Sequence, residues 1–131
     1  MSTTMPLPVE YFPRRAVAAG EVVFLEGQPA ECAFVILNGE VEVVASGAGG
    51  APVVVNHLKA GQMFGEIALL QPGGTRTATI VSEKGCDLIE IDRKFFDQSL
   101  AKSDPLLRYV VGHLCQRLVA LTMRAADDTK P

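Results

Sequence analysis

The chain has 131 residues, 48% of them hydrophobic and 21% charged, which suits about one hydrophobic core and is too apolar for intrinsic disorder. Such a length excludes a sensory domain joined to a complete DNA-binding domain, and no stretch approaches the ~20 apolar residues of a membrane crossing. Net charge is -3, divided into 5 Lys/Arg against 11 Asp/Glu (-6) over residues 1–92 and 7 against 4 (+3) over 93–131. An acidic first part argues against direct nucleic-acid binding, which draws most of its affinity from clustered cations. Met1–Pro8 has neither a positively charged n-region nor an apolar h-region, so one soluble cytoplasmic domain is expected, with no membrane contact. Cys32, Cys86 and Cys115 are far apart in apolar contexts, with no CxxC and no Cys/His cluster. They are expected to be small core thiols, and no metal is expected.

In chain order, a short N-terminal segment, 1–13, precedes a run of brief apolar stretches separated by glycine-containing turns. Eight strands are expected: Ala16–Ala18, Val22–Leu25, Ala33–Leu37, Glu40–Ser46, Val53–Leu58, Gln62–Phe64, Thr77–Val81 and Asp87–Ile91. Glu40-Val41-Glu42-Val43 alternates polar and apolar, the pattern of a half-buried strand. Eight short strands at this spacing predict an antiparallel jelly-roll-like barrel over residues 14–92, making the chain mainly β with C-terminal helices (α+β). After Ile91 the period becomes helical. Asp92 caps a predicted helix from Arg93 to Ala101, and Asp104-Pro105 opens a longer one to about Arg124. A polar tail, 125–131, follows.

On the longer helix, Leu107, Val111, Leu114, Leu118 and Leu121 recur at spacings of 4, 3, 4 and 3. This a/d seam suits either packing on the chain's own barrel or a homodimer across a two-fold axis. Leu106 and Val110 form a second stripe able to face the barrel.

The segment richest in chemistry is Phe64-Gly65-Glu66-Ile67-Ala68-Leu69-Leu70, then Gln71-Pro72-Gly73-Gly74-Thr75, then Arg76-Thr77-Ala78-Thr79. A strand ends at Phe64, a glycine turns the chain, and one apolar helical turn follows. The start of that turn offers free N–H groups to an anion. Arg76 adds a cationic fork for phosphate oxygens and Thr77 a hydroxyl. Glu66 accepts hydrogen bonds, either from a sugar hydroxyl or from Arg76 in a loop-pinning ion pair. With Arg76 its one cation, the segment suits a single phosphate charge beside a hydroxyl. No GxxxxGK[ST] run is present, so a P-loop is excluded.

These residues resemble the phosphate-binding cassette of the cyclic nucleotide-binding domain family, roughly F-G-E-[LIM]-A-L, a short loop, then R-[ST]-A. The resemblance extends upstream to Gly20-Glu21-Val22-Val23-Phe24, Glu26-Gly27-Gln28 and Phe34 to Val41, and downstream to the helices of residues 92–124. It implies a domain over residues 14–124 that binds cyclic AMP or cyclic GMP as ligand and holds no cofactor. By the same resemblance Glu66 takes the ribose 2′-hydroxyl. Arg76 holds the cyclic phosphate, with Thr77 and the backbone N–H groups of Gly65, Ile67, Ala68 and Ala78. Val43, Leu58 and Phe64 match the purine and ribose walls, although each also reads as ordinary core. Arg117, Leu121 and Thr122 match base-contacting lid positions; Leu121 is equally a seam residue and Arg117 a solvated charge.

The chain departs from the family pattern at both ends. Pro6, Pro8 and Pro13 break most helical options before the first strand, and no attached output domain is expected after the lid helix. A sensor signalling by lid-helix movement to an unidentified output protein or a missing output domain is therefore expected, with a ligand-independent interaction or dimerisation domain as the alternative. An enzyme is not expected. His57 and His113 are the only histidines, they lack metal-triad spacing, and no nucleophile–base pair is evident. Thr77 suits the guanine amino group of cyclic GMP, but threonine also stands where cyclic AMP is preferred. The overall character of the sequence leans to cyclic AMP.

Overall fold

The computed structural model describes residues 12–70 and 73–128, with backbone alone at 48 and 122–128. The expectations for segment 1–11, for Gln71 and Pro72, and for the last three residues of the tail lie outside the described residues. Seven strands form: β1 (Arg14–Val17), β2 (Glu21–Phe24), β3 (Cys32–Ser46), β4 (Pro52–Lys59), β5 (Met63–Phe64), β6 (Thr79–Ser82) and β7 (Cys86–Asp92). All pairings are antiparallel, in the order β1-β7-β3-β6-β2, with β4 and β5 also on β3. The sheet curls into a half-barrel.

The count is seven rather than eight because two expected strands are one. β3 runs unbroken through Asn38-Gly39, where the sequence suggests a turn. The register slips between Ile36 and Asn38, and Gly39 sits at φ +84°. A Cβ there would lie 2.5 Å from the Gly85 carbonyl oxygen, so glycine is needed both for the conformation and for the approach of β7. The bend lets one strand serve two sheets. Its first half pairs with β5 and β7, its second with β4 and β6. The core between them holds Val17, Val23, Phe34, Ile36, Val41, Phe64, Ile80, Cys86 and Leu88. Phe34 and Phe64 stack with centroids 5.2 Å apart.

The expected alternation at residues 40–43 needs correction. Glu42 is buried, not half-exposed, at 4% exposure, and its Oε2 accepts from the Glu83 N–H at 3.1 Å. β6 also begins two residues later than expected. The Arg76 backbone bonds instead to the loop after β2: its N–H donates to Gln28 O and its carbonyl accepts from Gly27 N–H, each at 2.8 Å.

Three helices follow the expected pattern: α1 (Ile67–Leu70), α2 (Arg93–Ala101) and α3 (Pro105–Asp128). Asp92 caps α2 through a 2.6 Å bond from Phe95 N–H, and Asp104 accepts from Leu106 N–H at 2.9 Å. α3 runs four residues past the expected end at Arg124. α1 packs against both α2 and α3. No described helix is long and apolar enough to cross a membrane.

Candidate functional site

A cavity of about 580 Å³ opens where α1, the loop before β6 and the second half of β3 converge. Its lining includes the cassette residues Gly65, Glu66, Ile67, Ala68, Arg76, Thr77 and Ala78, and the apolar wall residues Val43, Leu58 and Phe64. Residues over thirty positions apart in sequence thus meet on one concave surface. The lining also includes Phe24, Asn56 and Met63, which sequence reasoning missed. Phe24 and Asn56 come from strands the cassette motif does not touch, so linear spacing carried no sign of them, whereas Met63 directly precedes the motif on β5.

Arg76 is the cation of this cavity and is 8% exposed. Its Nη2 donates to the Cys32 carbonyl at 2.8 Å and lies 3.7 Å from Cys32 Sγ. The guanidinium sits 4.0 Å from the centroid of the Phe24 ring and 5.8 Å from that of Phe34. Its Nε is buried with no hydrogen-bond partner. An orphaned buried donor on a cation costs about 1–3 kcal/mol or more, so the arrangement is poised for an anionic acceptor. Burial pulls the Arg76 pKa below its ordinary value, opposed by Cys32 and Glu31, but the group remains cationic at neutral pH.

The loop-pinning ion pair between Glu66 and Arg76 does not form. Arg76 turns to Cys32 and Phe24 instead. Gly65 explains part of this geometry. It adopts φ +73°, and a Cβ added there would stand 2.8 Å from Arg76 Nη1. The glycine therefore both turns the chain into α1 and clears the space beside the guanidinium. The N–H groups of Ala68 and Leu69 are already used, donating to Gly65 O at 3.1 Å and to Glu66 O at 3.0 Å. Ala68 N–H is thus not free for an anion in this structure.

Arg93, at the start of α2, holds the cassette from behind. Its Nε donates to Ala68 O and its Nη2 to Ala30 O, each at 2.8 Å. Of the expected lid residues, Arg117 and Leu121 lie on exposed positions of α3 and outside the cavity lining. The Thr122 side chain lies outside the described residues. The seam does not pack on the barrel: Leu107, Leu114, Leu118 and Leu121 are exposed and Val111 is partly so, while the second stripe, Leu106 and Val110, is exposed too.

The cysteines need one correction. Cys86 is a core thiol, whereas Cys32 is half-buried beside Arg76 and Cys115 lies partly exposed on α3. The sheet also gathers Glu40, Glu42 and His57, with ligand atoms within 4.8 Å of one another, through the cross-strand pairing of Glu42 with His57. Sequence spacing around His57 alone does not show this grouping.

An antiparallel half-barrel with a buried arginine on an apolar-walled cavity, followed by helices, is the architecture of a mainly β domain built around a concave site. The sequence profile of the cyclic nucleotide-binding domain matches residues 14–103, and the chain belongs to that family. It is 29% identical over 92 residues to the cAMP-activated global transcriptional regulator CRP of Pasteurella multocida, covering 70% of this chain and 44% of that protein. It is 31% identical over 110 residues to mouse cGMP-dependent protein kinase 2, covering 82% of this chain and 14% of the kinase. Among solved structures, the Thermus thermophilus Catabolite Activator Protein superposes with a TM-score of 0.71 at 26% identity, covering 91% of this chain and 53% of that one. The chain thus spans less than half the length of the Pasteurella relative.

Proposed function

We propose that this chain is a sensor module that binds a cyclic nucleotide, cyclic AMP in preference to cyclic GMP, and signals by movement of α3 rather than by catalysis. The observation that carries the reading is Arg76, a buried cation with an unpartnered Nε on a cavity whose lining also includes Glu66. One phosphate charge would meet Arg76 and Thr77, with backbone N–H groups of Gly65, Ile67 and Ala78 nearby. The neighbouring ribose hydroxyl would meet Glu66, and the base would lie on Val43, Leu58 and Phe64. The name of the Pasteurella relative supports cyclic AMP, while that of the mouse kinase supports cyclic GMP. Contact of α1 with both α2 and α3 gives a route from the cassette to the helices. Phosphate capture would then shift a population of α3 positions.

Exposure of Leu107, Leu114, Leu118 and Leu121 favours a second element of the proposal, self-association of two copies through α3. The output would then lie in that dimer, in a neighbouring domain or in a further protein. Calorimetric titration with cyclic AMP and cyclic GMP tests the ligand. Micromolar or tighter binding, strongly weakened by Arg76→Ala, is expected; absence of heat and of any thermal shift with both nucleotides refutes it.

A further inference from the structure

The cassette motif supplies Arg76, but it does not supply what holds Arg76 in place. Besides the Cys32 carbonyl on β3, that support comes from β2 and the loop behind it. Between Val22 and Phe24 the pairing of β2 with β6 slips: Val22 faces Val81, and Phe24 faces Ile80. Regular alternation would place Val23 and Phe24 on opposite faces of the strand. Instead both contribute to the core, Val23 buried within it and Phe24 packed against it. A bulge beside a site commonly re-aims a side chain, and here it delivers an aromatic ring to the cavity lining.

The ring lies 4.0 Å from the Arg76 guanidinium and is braced by Phe34 and Phe64, each with its centroid 6.0 Å away. The loop that follows is tied to both ends of the arrangement. Glu26 N–H donates to Thr79 Oγ1 at 2.9 Å, while Gly27 and Gln28 bond the Arg76 backbone. The π-face of Phe24 covers one side of the guanidinium and contributes no hydrogen bond, leaving Nε unpartnered.

We infer that Phe24 is a positioning residue for Arg76: its ring holds the guanidinium by a cation–π contact, so that the donors remain available to an anionic ligand. The inference rests on the proposed binding of a cyclic nucleotide in this cavity. Phe24 touches the cation and acts on the phosphate through it. Losing the ring would therefore weaken a phosphate-bearing ligand more than a neutral one of the same base.

The test uses the whole 131-residue chain with Phe24→Leu and Phe24→Tyr, each checked for folding by thermal unfolding. Cyclic AMP and adenosine are titrated into each. Phe24→Leu is expected to weaken cyclic AMP roughly 2- to 30-fold, the span between an exposed and a desolvated cation–π contact. Adenosine binding should fall by less than cyclic AMP binding, and Phe24→Tyr should restore cyclic AMP binding. Equal loss for both ligands, or no loss for either, overturns the inference while leaving nucleotide binding intact. A ligand-free measurement keeps the two claims separable. The Arg76 Nε–H resonance should carry a ring-current shift that vanishes in Phe24→Leu and survives in Phe24→Tyr. If the unsubstituted chain binds no cyclic nucleotide, the binding proposal fails, and this resonance alone decides whether Phe24 holds Arg76; an unshifted resonance overturns the inference.

Discussion

The cavity wall and helix α3 are both rich in large apolar side chains, yet they are treated oppositely. Phe64 and Ile80 are each 4% exposed or less, covered by strands that arrive from distant parts of the chain. Leu107, Leu114 and Leu121 are each 57–59% exposed, with the same hydrophobicity and no cover from the barrel. In the barrel, cross-strand pairing encloses the apolar surface and isolates one cation within it. On α3 the apolar surface is left exposed among the described residues. Under the proposed function, recognition belongs to the barrel and communication to the helix.

That contrast can be broken at either end. Arg76→Ala should weaken cyclic nucleotide binding by about 30-fold to several thousand-fold, corresponding to about 2–5 kcal/mol for removing one partner of a buried charged contact. It should leave the fold intact, because the cation it removes is already desolvated and incompletely bonded; calorimetry and thermal unfolding measure the two effects separately. Gly65→Ala comes next. A non-glycine residue at φ +73° with its Cβ 2.8 Å from Arg76 Nη1 should lose about 1–3 kcal/mol of stability and displace the guanidinium. Chemical denaturation and titration of the same variant should show both losses together. Glu66→Gln should weaken binding by roughly 10-fold through one charge-assisted hydrogen bond, with unfolding unchanged.

Charge placed on α3 should behave differently. Leu114→Glu with Leu118→Glu should alter barrel stability by less than about 0.5 kcal/mol, since neither side chain is buried. Sedimentation should show fewer dimers than the unsubstituted chain. A large stability loss would mean that α3 packs on the barrel. The smallest expected effect concerns the thiols. Burial raises the pKa of Cys32, Cys86 and Cys115. A raised folded-state pKa contributes stability that is present below the ordinary thiol range and lost as pH rises through the folded values. Stability should therefore be flat with respect to these thiols near neutrality and decline in alkali, which unfolding midpoints across pH would reveal.

The sequence was most legible where function depends on neighbours in the chain. Gly65-Glu66 and Arg76-Thr77 stand in one short segment, so their convergence on a cavity followed from a single turn. The strand pattern was readable for the same local reason, except where β3 bends at Gly39 instead of stopping. A glycine at positive φ serves a turn and a bend equally, and only the pairing partner distinguishes them. Cross-strand relations were invisible. Nothing near Arg76 in sequence announces Cys32, 44 positions away, as the acceptor of its Nη2. Nothing announces the bulge that brings Phe24 to the guanidinium either. The alternative reading of Glu66, an ion pair with Arg76, is not realised because a cation has many routes to satisfaction, and aromatic and carbonyl partners took this one. The leucine seam of α3 was legible as a stripe, but a stripe does not say what covers it.

Hydrogen–deuterium exchange with and without cyclic AMP tests the division between barrel and helix most directly. The account predicts strong ligand-induced protection across residues 64–82, where the cassette and β6 meet the cavity, together with a smaller change over α3. Protection confined to α3, with the cassette unchanged, would contradict it.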